Sequence, residues 1–295
     1  MSLLAQRAQA WLAKNERAES LIVIGAWAGA YYGVHRLARA ISNVAVPPSK
    51  DGAPGFLDAP QPKYSGCTLR KIVGARAASF AHAFVSFGWS ARALRSSWWP
   101  ALRAAAPRLA QRWPPFLGPA LRDLLPLLAY DAPNLLPGAR GVLRHSLGYF
   151  VQELWHVLRN EPDPIFVAHH LAYLLATGPI LASDKGWAMI AVATVFAEVT
   201  NPIQLSWEMA KAFGLPDLYD ALSLPFTAAF ALCRGLLMPL AMVDIGLFLA
   251  TRDRPDPTMK WAFGLFAVGI AASCVWLGQL VSGFRKYRRK KAAKK

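Results

Sequence analysis

The sequence predicts an all-α fold, a polytopic integral membrane bundle of helices. Of the 295 residues, 55% are hydrophobic and only 17% are charged, whereas soluble domains have about a quarter of their residues charged. The mean hydropathy is +0.26, and the apolar residues form blocks of the roughly 20 residues that a helix needs to cross a bilayer. These blocks lack the alternating pattern of barrel strands, so they predict helices.

The blocks predict seven membrane spans, at residues 20–41, 71–94, 139–158, 163–182, 185–213, 219–250 and 259–284. Residues 95–138 predict an interfacial amphipathic segment, followed by a re-entrant stretch or an eighth span at 116–136. An eighth span would keep this arginine-rich segment on the side of the basic C-terminus, as the positive-inside rule prefers, but would contain Arg122 and Asp123. Short connections at 159–163 and 183–185 predict antiparallel helix packing.

The chain divides into three predicted parts by composition. Residues 1–70 hold an N-terminal helix, the first span and a Pro/Gly-rich loop, residues 71–284 form the main membrane domain, and residues 285–295 are a basic tail. The formal charge is +16. The tail directly follows an apolar run, which predicts a cytoplasmic segment attracted to anionic lipid headgroups, with no nucleic-acid partner. The Arg- and Lys-containing start keeps an organelle-targeting alternative open.

Adjacent histidines lie inside the fourth predicted span. Asp163, His170, Tyr173 and Thr177 share one helix face, and His169 lies about 100° round the helix. Ionisable residues in hydrocarbon are costly and usually face the bundle interior or a cavity. Two such histidines could supply a general base or nucleophile near neutral pH, or they could hydrogen-bond across helices and stabilise the bundle.

The sequence predicts no metal and no bound cofactor. Adjacent histidines on one helix turn do not easily bind one metal, and the chain has only six histidines. Three cysteines lie far apart and indicate neither a disulfide framework nor a metal site. There is no nucleotide-binding loop and no haem motif.

A polar stripe runs along the third predicted span. His145, Tyr149, Gln152 and His156 recur at steps of four, three and four, with Glu153 beside them. Such spacing places them on one helix face. We expect this face to line the same interior as His170, and a helix lying partly at the interface is the alternative.

Further polar residues interrupt the second, fifth and sixth spans. Ser79 and His82 share a face of the second span. Glu198 and Asn201 lie one turn apart before a proline that should bend or break the helix. Arg234 stands among apolar residues and needs a partner. We expect that partner to be Glu198, with Asp244 as the second choice.

Together these residues resemble the TLC domain, the family shared by TRAM, the ceramide synthases, the CLN-eight-type proteins and the small TLC-domain proteins. The resemblance covers roughly residues 71–283. The matching parts are, in order, Ser79 to His82-Ala83, Gly148-Tyr149-Phe150 with Glu153, Asp163 to His169-His170-Leu171, Glu198 to Asn201-Pro202, and Arg234 with Pro239.

The resemblance implies a TLC-type six-helix bundle with a lipid-accommodating cavity, usually in the endoplasmic reticulum. In ceramide synthases a histidine pair, onto which His169 and His170 map, is required to move a fatty acyl group from acyl-CoA to a sphingoid amine. Those enzymes also carry a His-Asp-x-x-Asp run, where this chain has Phe196-Ala-Glu198-Val-Thr-Asn201. Glu153 also replaces the usual Asp. The likeness is therefore closer to the small TLC-domain proteins.

Three functional hypotheses follow. The leading one is a membrane protein that binds or senses lipid and influences membrane lipid composition, in the endoplasmic reticulum or another organelle membrane. The alternatives are an acyltransferase with acyl-CoA as substrate and a chaperone or cargo-type protein, so catalysis stays open. His169 and His170 are the catalytic candidates if the protein is an enzyme. The residues expected to line the cavity or bind lipid are His82, Tyr149, Glu153, His156, Asp163, Tyr173, Glu198, Asn201 and Arg234.

Overall fold

A computed structural model describes residues 16–45, 68–111, 139–160, 164–183, 185–250 and 256–292. Nearly all of these residues are helical, as the sequence predicts. The helices in the described ranges are α1 (Glu16–Ala45), α2 (Leu69–Gln111), α3 (Ala139–Asn160), α4 (Pro164–Ser183), α5 (Trp187–Glu198), α6 (Asn201–Ala212), α7 (Pro216–Leu232), a π-helical turn (Cys233–Leu237), α8 (Met238–Ala250) and α9 (Pro257–Ala292).

Four segments of the described residues are long and apolar enough to cross a membrane, judged by length and composition: Pro164–Ser183, Trp187–Ala212, Pro216–Ala250 and Pro257–Arg289. These segments support the predicted membrane class, but they do not confirm seven or eight spans. Helix α3 has 22 residues, which is long enough to span. Its apolar content is lowered by polar side chains that the fold buries, as described below.

Helix α2 is longer than the predicted second span. The prediction ended this span at residue 94, whereas the helix continues to Gln111. The amphipathic segment predicted to begin at residue 95 therefore starts as a continuation of α2. The re-entrant stretch or eighth span predicted at 116–136 lies outside the described residues.

The described residues form two compact units, and the first comprises residues 16–45, 68–78, 140–160 and 164–174. In this unit α1 packs closely against α2 and α3 at two glycines. A Cβ atom added to Gly148 would lie 2.5 Å from the Cβ of Trp27, and one added to Gly74 would lie 2.9 Å from the carbonyl oxygen of His35. Any side chain at either position would therefore separate the helices.

An ionic contact fixes the start of α1 against α3. Nη1 of Arg144 donates to Oε1 of Glu19 at 2.9 Å, and its Nε donates to Oγ of Ser20 at 3.1 Å. The guanidinium thus bonds two consecutive residues in the first turns of α1. Together with the glycine contacts, this pair of hydrogen bonds sets the register of α1 along α3.

The described residues of the second unit are 79–111, 139, 175–183, 185–250 and 256–292. In it α5 packs against α8, α6 packs against α7, and α9 packs against α7, α8 and the π-helical turn. The largest fully buried apolar side chains of this unit form its core, and they are Ile180, Met189, Ile190, Val192, Ile245, Phe248 and Met259. Gly186, with φ of 80°, precedes α5, and a Cβ there would lie 2.7 Å from Cδ1 of Ile180.

Two prolines shape the helices of the second unit. Helix α5 ends at Glu198 and α6 begins at Asn201 with Pro202 in its first turn, which confirms the predicted break. Pro239 lacks an N–H and crowds the carbonyl four residues earlier. The preceding residues form the π-helical turn, where the N–H of Met238 bonds to the oxygen of Cys233. Turns of this kind are often found at functional sites.

The close approach of α1 and α3 makes a testable prediction. We expect Gly148→Ala to lower the stability of the protein by about 1–3 kcal/mol, because the new methyl group overpacks the contact with Trp27. Gly29→Ala is the matched control, since no atom lies within 4 Å of its added Cβ. That change should leave stability unchanged or raise it by about 0.5–1 kcal/mol. Thermal unfolding in detergent micelles measures both, and equal melting temperatures would contradict the packing described.

Candidate functional site

His169 and His170, here called the histidine pair, lie in the first unit on α4. His170 is only 4% exposed, and its Nδ1 lies 2.7 Å from the carbonyl oxygen of Phe166 one turn earlier. A carbonyl can only accept, so Nδ1 carries the hydrogen and donates it. In the neutral ring, Nε2 then carries the lone pair that can accept a hydrogen bond or a proton.

Aromatic rings from α3 and α4 surround the histidine pair. The ring of Phe150 lies 5.3 Å from that of His170 and 6.0 Å from that of His169, centroid to centroid. The ring of Tyr173 stacks on Phe150 at 3.8 Å with an interplanar angle of 11°. Phe150 was not among the predicted site residues, although it belongs to the Gly-Tyr-Phe run that the resemblance uses.

The outer side of α4 is apolar. Ile165 and Leu171 are 52% and 43% exposed, and His169 is partly exposed between this surface and the buried His170. In a membrane this exposed surface would contact lipid chains, because it has no polar group to offer water. The histidine pair therefore lies at the boundary between an apolar surface and the interior of the unit.

The polar stripe of α3 is buried and contacts α1. The hydroxyl of Tyr31 hydrogen-bonds with Nε2 of His145, and its ring lies 5.3 Å from that of Tyr149. The rings of His35 and His156 lie 5.2 Å apart. In these described contacts the stripe faces α1. The ring of His170 lies near Phe150, which is roughly 120° around α3 from the stripe. The expectation that both line one interior stays a prediction.

The remaining predicted residues of this unit are accounted for as follows. Gln152, a member of the stripe, is 6% exposed, and Glu153 beside it is 4% exposed, so both are buried. Asp163, predicted to share the face of His170, lies outside the described residues. The structure therefore brings His169, His170 and Tyr173 together, while Tyr149 and His156 contact α1.

A second group, here called the buried polar cluster, lies in the second unit and consists of His82, Glu198, Asn201 and Arg234. Nδ2 of Asn201 donates to Oε2 of Glu198 at 2.8 Å, and Nη2 of Arg234 donates to Oδ1 of Asn201 at 2.9 Å. Nε2 of His82 lies 3.4 Å from Oε1 of Glu198. Glu198 and Arg234 are thus joined through the amide of Asn201.

The helix break supplies further acceptors for Arg234. Its Nη2 donates to the carbonyl oxygen of Ala197 at 2.9 Å, and its Nε lies 3.4 Å from Oγ1 of Thr200. The last carbonyls of a helix have no partner within that helix, so the end of α5 is a ready acceptor. The expected pairing of Arg234 with Glu198 is indirect, because it runs through the amide of Asn201. Arg234 itself lies in the π-helical turn.

Ser86 joins the buried polar cluster on α2. Its Oγ lies 3.1 Å from Nδ1 of His82, one turn earlier, and Ser86 and His82 are 0% and 1% exposed. The sequence analysis missed this serine, although its i+4 spacing from His82 places both side chains on one face. Hydrogen bonds between buried polar groups can hold helices together, and these residues come from α2, the break between α5 and α6, and the π-helical turn.

The two groups differ in their chemistry. The charged groups of the buried polar cluster bond to one another and to the end of α5. The histidine pair instead combines a fixed tautomer of His170 with a partly exposed His169. Within the described ranges, no group of three His, Cys, Asp or Glu side chains could hold a metal ion. The fold and these two groups define a helical integral membrane protein with ionisable side chains inside its apolar helices.

Comparison with known proteins names the family. The TLC domain family matches residues 73–282, and the chain belongs to this family. A TLC domain-containing protein of Arabidopsis thaliana is 31% identical over 153 residues, which are 47% of this chain and 60% of that protein. The match thus spans less than two thirds of the length of this relative. No solved structure matches the chain.

The buried polar cluster makes a second testable prediction. Glu198→Gln should destabilise the protein by about 1–3 kcal/mol, because it removes the negative charge that balances Arg234. It also replaces one of the two acceptor oxygens with a donor, so Asn201 and His82 no longer both face an oxygen. Glu208→Gln is the matched control on α6, where a partly buried carboxylate accepts from Gln204 at 3.1 Å. It should change stability by less than about 0.5 kcal/mol. Chemical denaturation in micelles compares them, and equal losses would argue against a special role for Glu198.

Proposed function

We propose that this TLC-domain protein binds a membrane lipid at the histidine pair and thereby influences the lipid composition of its membrane. The family comprises membrane proteins that are generally linked to lipid biology. The observation that carries the proposal is the position of His169 and His170 between buried aromatic rings and the exposed apolar surface of α4. Ionisable side chains cost free energy at such a position, and for this reason they often mark a functional site.

The chemistry of the pair suits the polar part of a lipid. Nε2 of His170 accepts a hydrogen bond when Nδ1 donates to Phe166, so it matches a lipid hydroxyl or amide N–H. The partly exposed ring of His169 offers a donor beside it. The stacked rings of Phe150 and Tyr173 provide an apolar contact for the adjoining hydrocarbon chain.

The arrangement of the second unit supports binding over synthase chemistry. Ceramide synthases, by resemblance, carry an Asp pair where this chain has Glu198 and Asn201. Here both side chains are engaged in the buried polar cluster, by His82 and by Arg234. They therefore act as structural groups in this account and are not assigned to a reaction.

A second candidate function, acyl transfer, rests on the tautomer of His170. With Nδ1 donating to a carbonyl, Nε2 carries the lone pair that a general base uses. It would take the proton of a lipid amine or hydroxyl while that atom attacks the thioester of acyl-CoA. The C–S bond would break, an amide or ester bond would form, and the thiolate of CoA would take up the proton.

We further propose the endoplasmic reticulum membrane as the location of this protein, with another organelle membrane as the alternative.

Lipid occupancy tests the proposal. Native mass spectrometry with lipidomics on the detergent-purified protein should show a co-purified lipid on the wild type. In His169→Ala/His170→Ala its occupancy should fall by roughly tenfold, the effect of losing about one hydrogen bond's worth of binding energy. His170→Gln keeps hydrogen-bonding capacity without a proton-accepting nitrogen, so it should retain part of the lipid.

The other outcomes separate the hypotheses. An acyl adduct or acyl-CoA that vanishes in the double variant and in His170→Gln would replace lipid binding by acyl transfer. The same unmodified lipid on all three proteins, at equal occupancy, would make the histidine pair structural. A wild-type protein that carries no lipid after mild extraction would refute the proposal.

A further inference from the structure

We propose that α9 carries a separate binding site for one anionic phospholipid, in a groove that we call the basic groove. The sequence predicts only a general attraction of the basic tail to anionic headgroups, whereas the structure places a cavity of about 820 Å³ along this helix. The site goes beyond the proposed function, because it uses none of the residues near the histidine pair.

The first part of the basic groove is apolar. Among the described residues, Cys274, Leu277, Gly278 and Val281 line it, and Ser282 lies where it meets the second part. Their spacing of three and four places them on one face of α9. Gly278 has no heavy atom within 4 Å of an added Cβ, so the helix surface is open there. From Cys274 to Arg285 the groove runs for roughly 16 Å, about half the thickness of the hydrocarbon core.

The second part of the basic groove is cationic. Arg285, Lys286 and Arg289 line it one turn further along α9. They lie at the end of the candidate span Pro257–Arg289, where a membrane helix passes from hydrocarbon to headgroups. An apolar groove of one-leaflet length that ends in three cations complements one acyl chain ending in an anionic phosphate headgroup.

Contacts on the other side of α9 hold this face in place. The hydroxyl of Tyr287 donates to Oδ1 of Asp220, and its ring lies 5.8 Å from that of Tyr219. Tyr287 is two residues from Arg285 and hence points roughly 200° away from it. Leu277 packs at the edge of the groove, where a Cβ on Gly235 would lie 2.6 Å from its Cδ2. The rotation of α9 is therefore fixed, and the basic groove faces away from α7.

The test uses native mass spectrometry of the full chain titrated with phosphatidylglycerol or with phosphatidylcholine of the same acyl chains. The wild type should bind one phosphatidylglycerol at least fivefold more tightly than phosphatidylcholine. Arg289→Ala should abolish this preference. Arg288→Ala is the matched control, because it removes the same charge from the neighbouring position of the exposed helix end without touching the lining of the groove, and it should keep the preference.

A second pair of variants changes shape without changing charge. Gly278→Leu fills the groove, whereas Gly283→Leu adds the same side chain outside its lining, and neither position has a heavy atom within 4 Å of an added Cβ. We expect Gly278→Leu alone to lose the tight phosphatidylglycerol. Equal losses in Arg288→Ala and Arg289→Ala would overturn the site in favour of general attraction to the tail. Unchanged binding in Gly278→Leu, or equal affinity for both lipids in the wild type, would overturn it as well.

Discussion

Arg234 brings a full charge into apolar helices, and the helices of the second unit are shaped around it. The π-helical turn ahead of Pro239 carries the guanidinium, and the break ahead of Pro202 exposes the carbonyl of Ala197 that accepts its hydrogen bond. Asn201 links Arg234 to Glu198, because its amide accepts a hydrogen bond from the guanidinium and donates one to the carboxylate. One proline thus shapes the turn that holds the buried cation, and the other ends the helix whose carbonyl accepts from it.

The histidine pair obeys the same constraint in a different way. His170 satisfies one nitrogen within its own helix, through Phe166, and its ring lies against Phe150. The second nitrogen is not fixed by that bond, and His169 beside it is partly exposed. The buried polar cluster is therefore suited to holding helices together, and the histidine pair is suited to meeting a molecule that arrives through the membrane.

The sequence predicted the class of fold because hydrophobic blocks report helices directly, and it predicted the break at Pro202 because proline acts locally. It could not predict the continuation of α2 to Gln111, since arginines and prolines there lower hydropathy without ending the helix. Phe150 and Ser86 were missed because their importance comes from contacts that only the folded chain creates. The polar stripe was found by periodicity, but its partners on α1 depend on the close approach at Gly148.

The central claim is that a lipid reaches the histidine pair, and a structure in a bilayer tests it most directly. Electron cryo-microscopy of the protein in lipid nanodiscs should show an elongated density along the exposed side of α4. Its polar end should lie within hydrogen-bonding distance of His169 or of Nε2 of His170. A map in which protein side chains fill this space, with lipid density confined to the outer surface of the helices, would contradict the account.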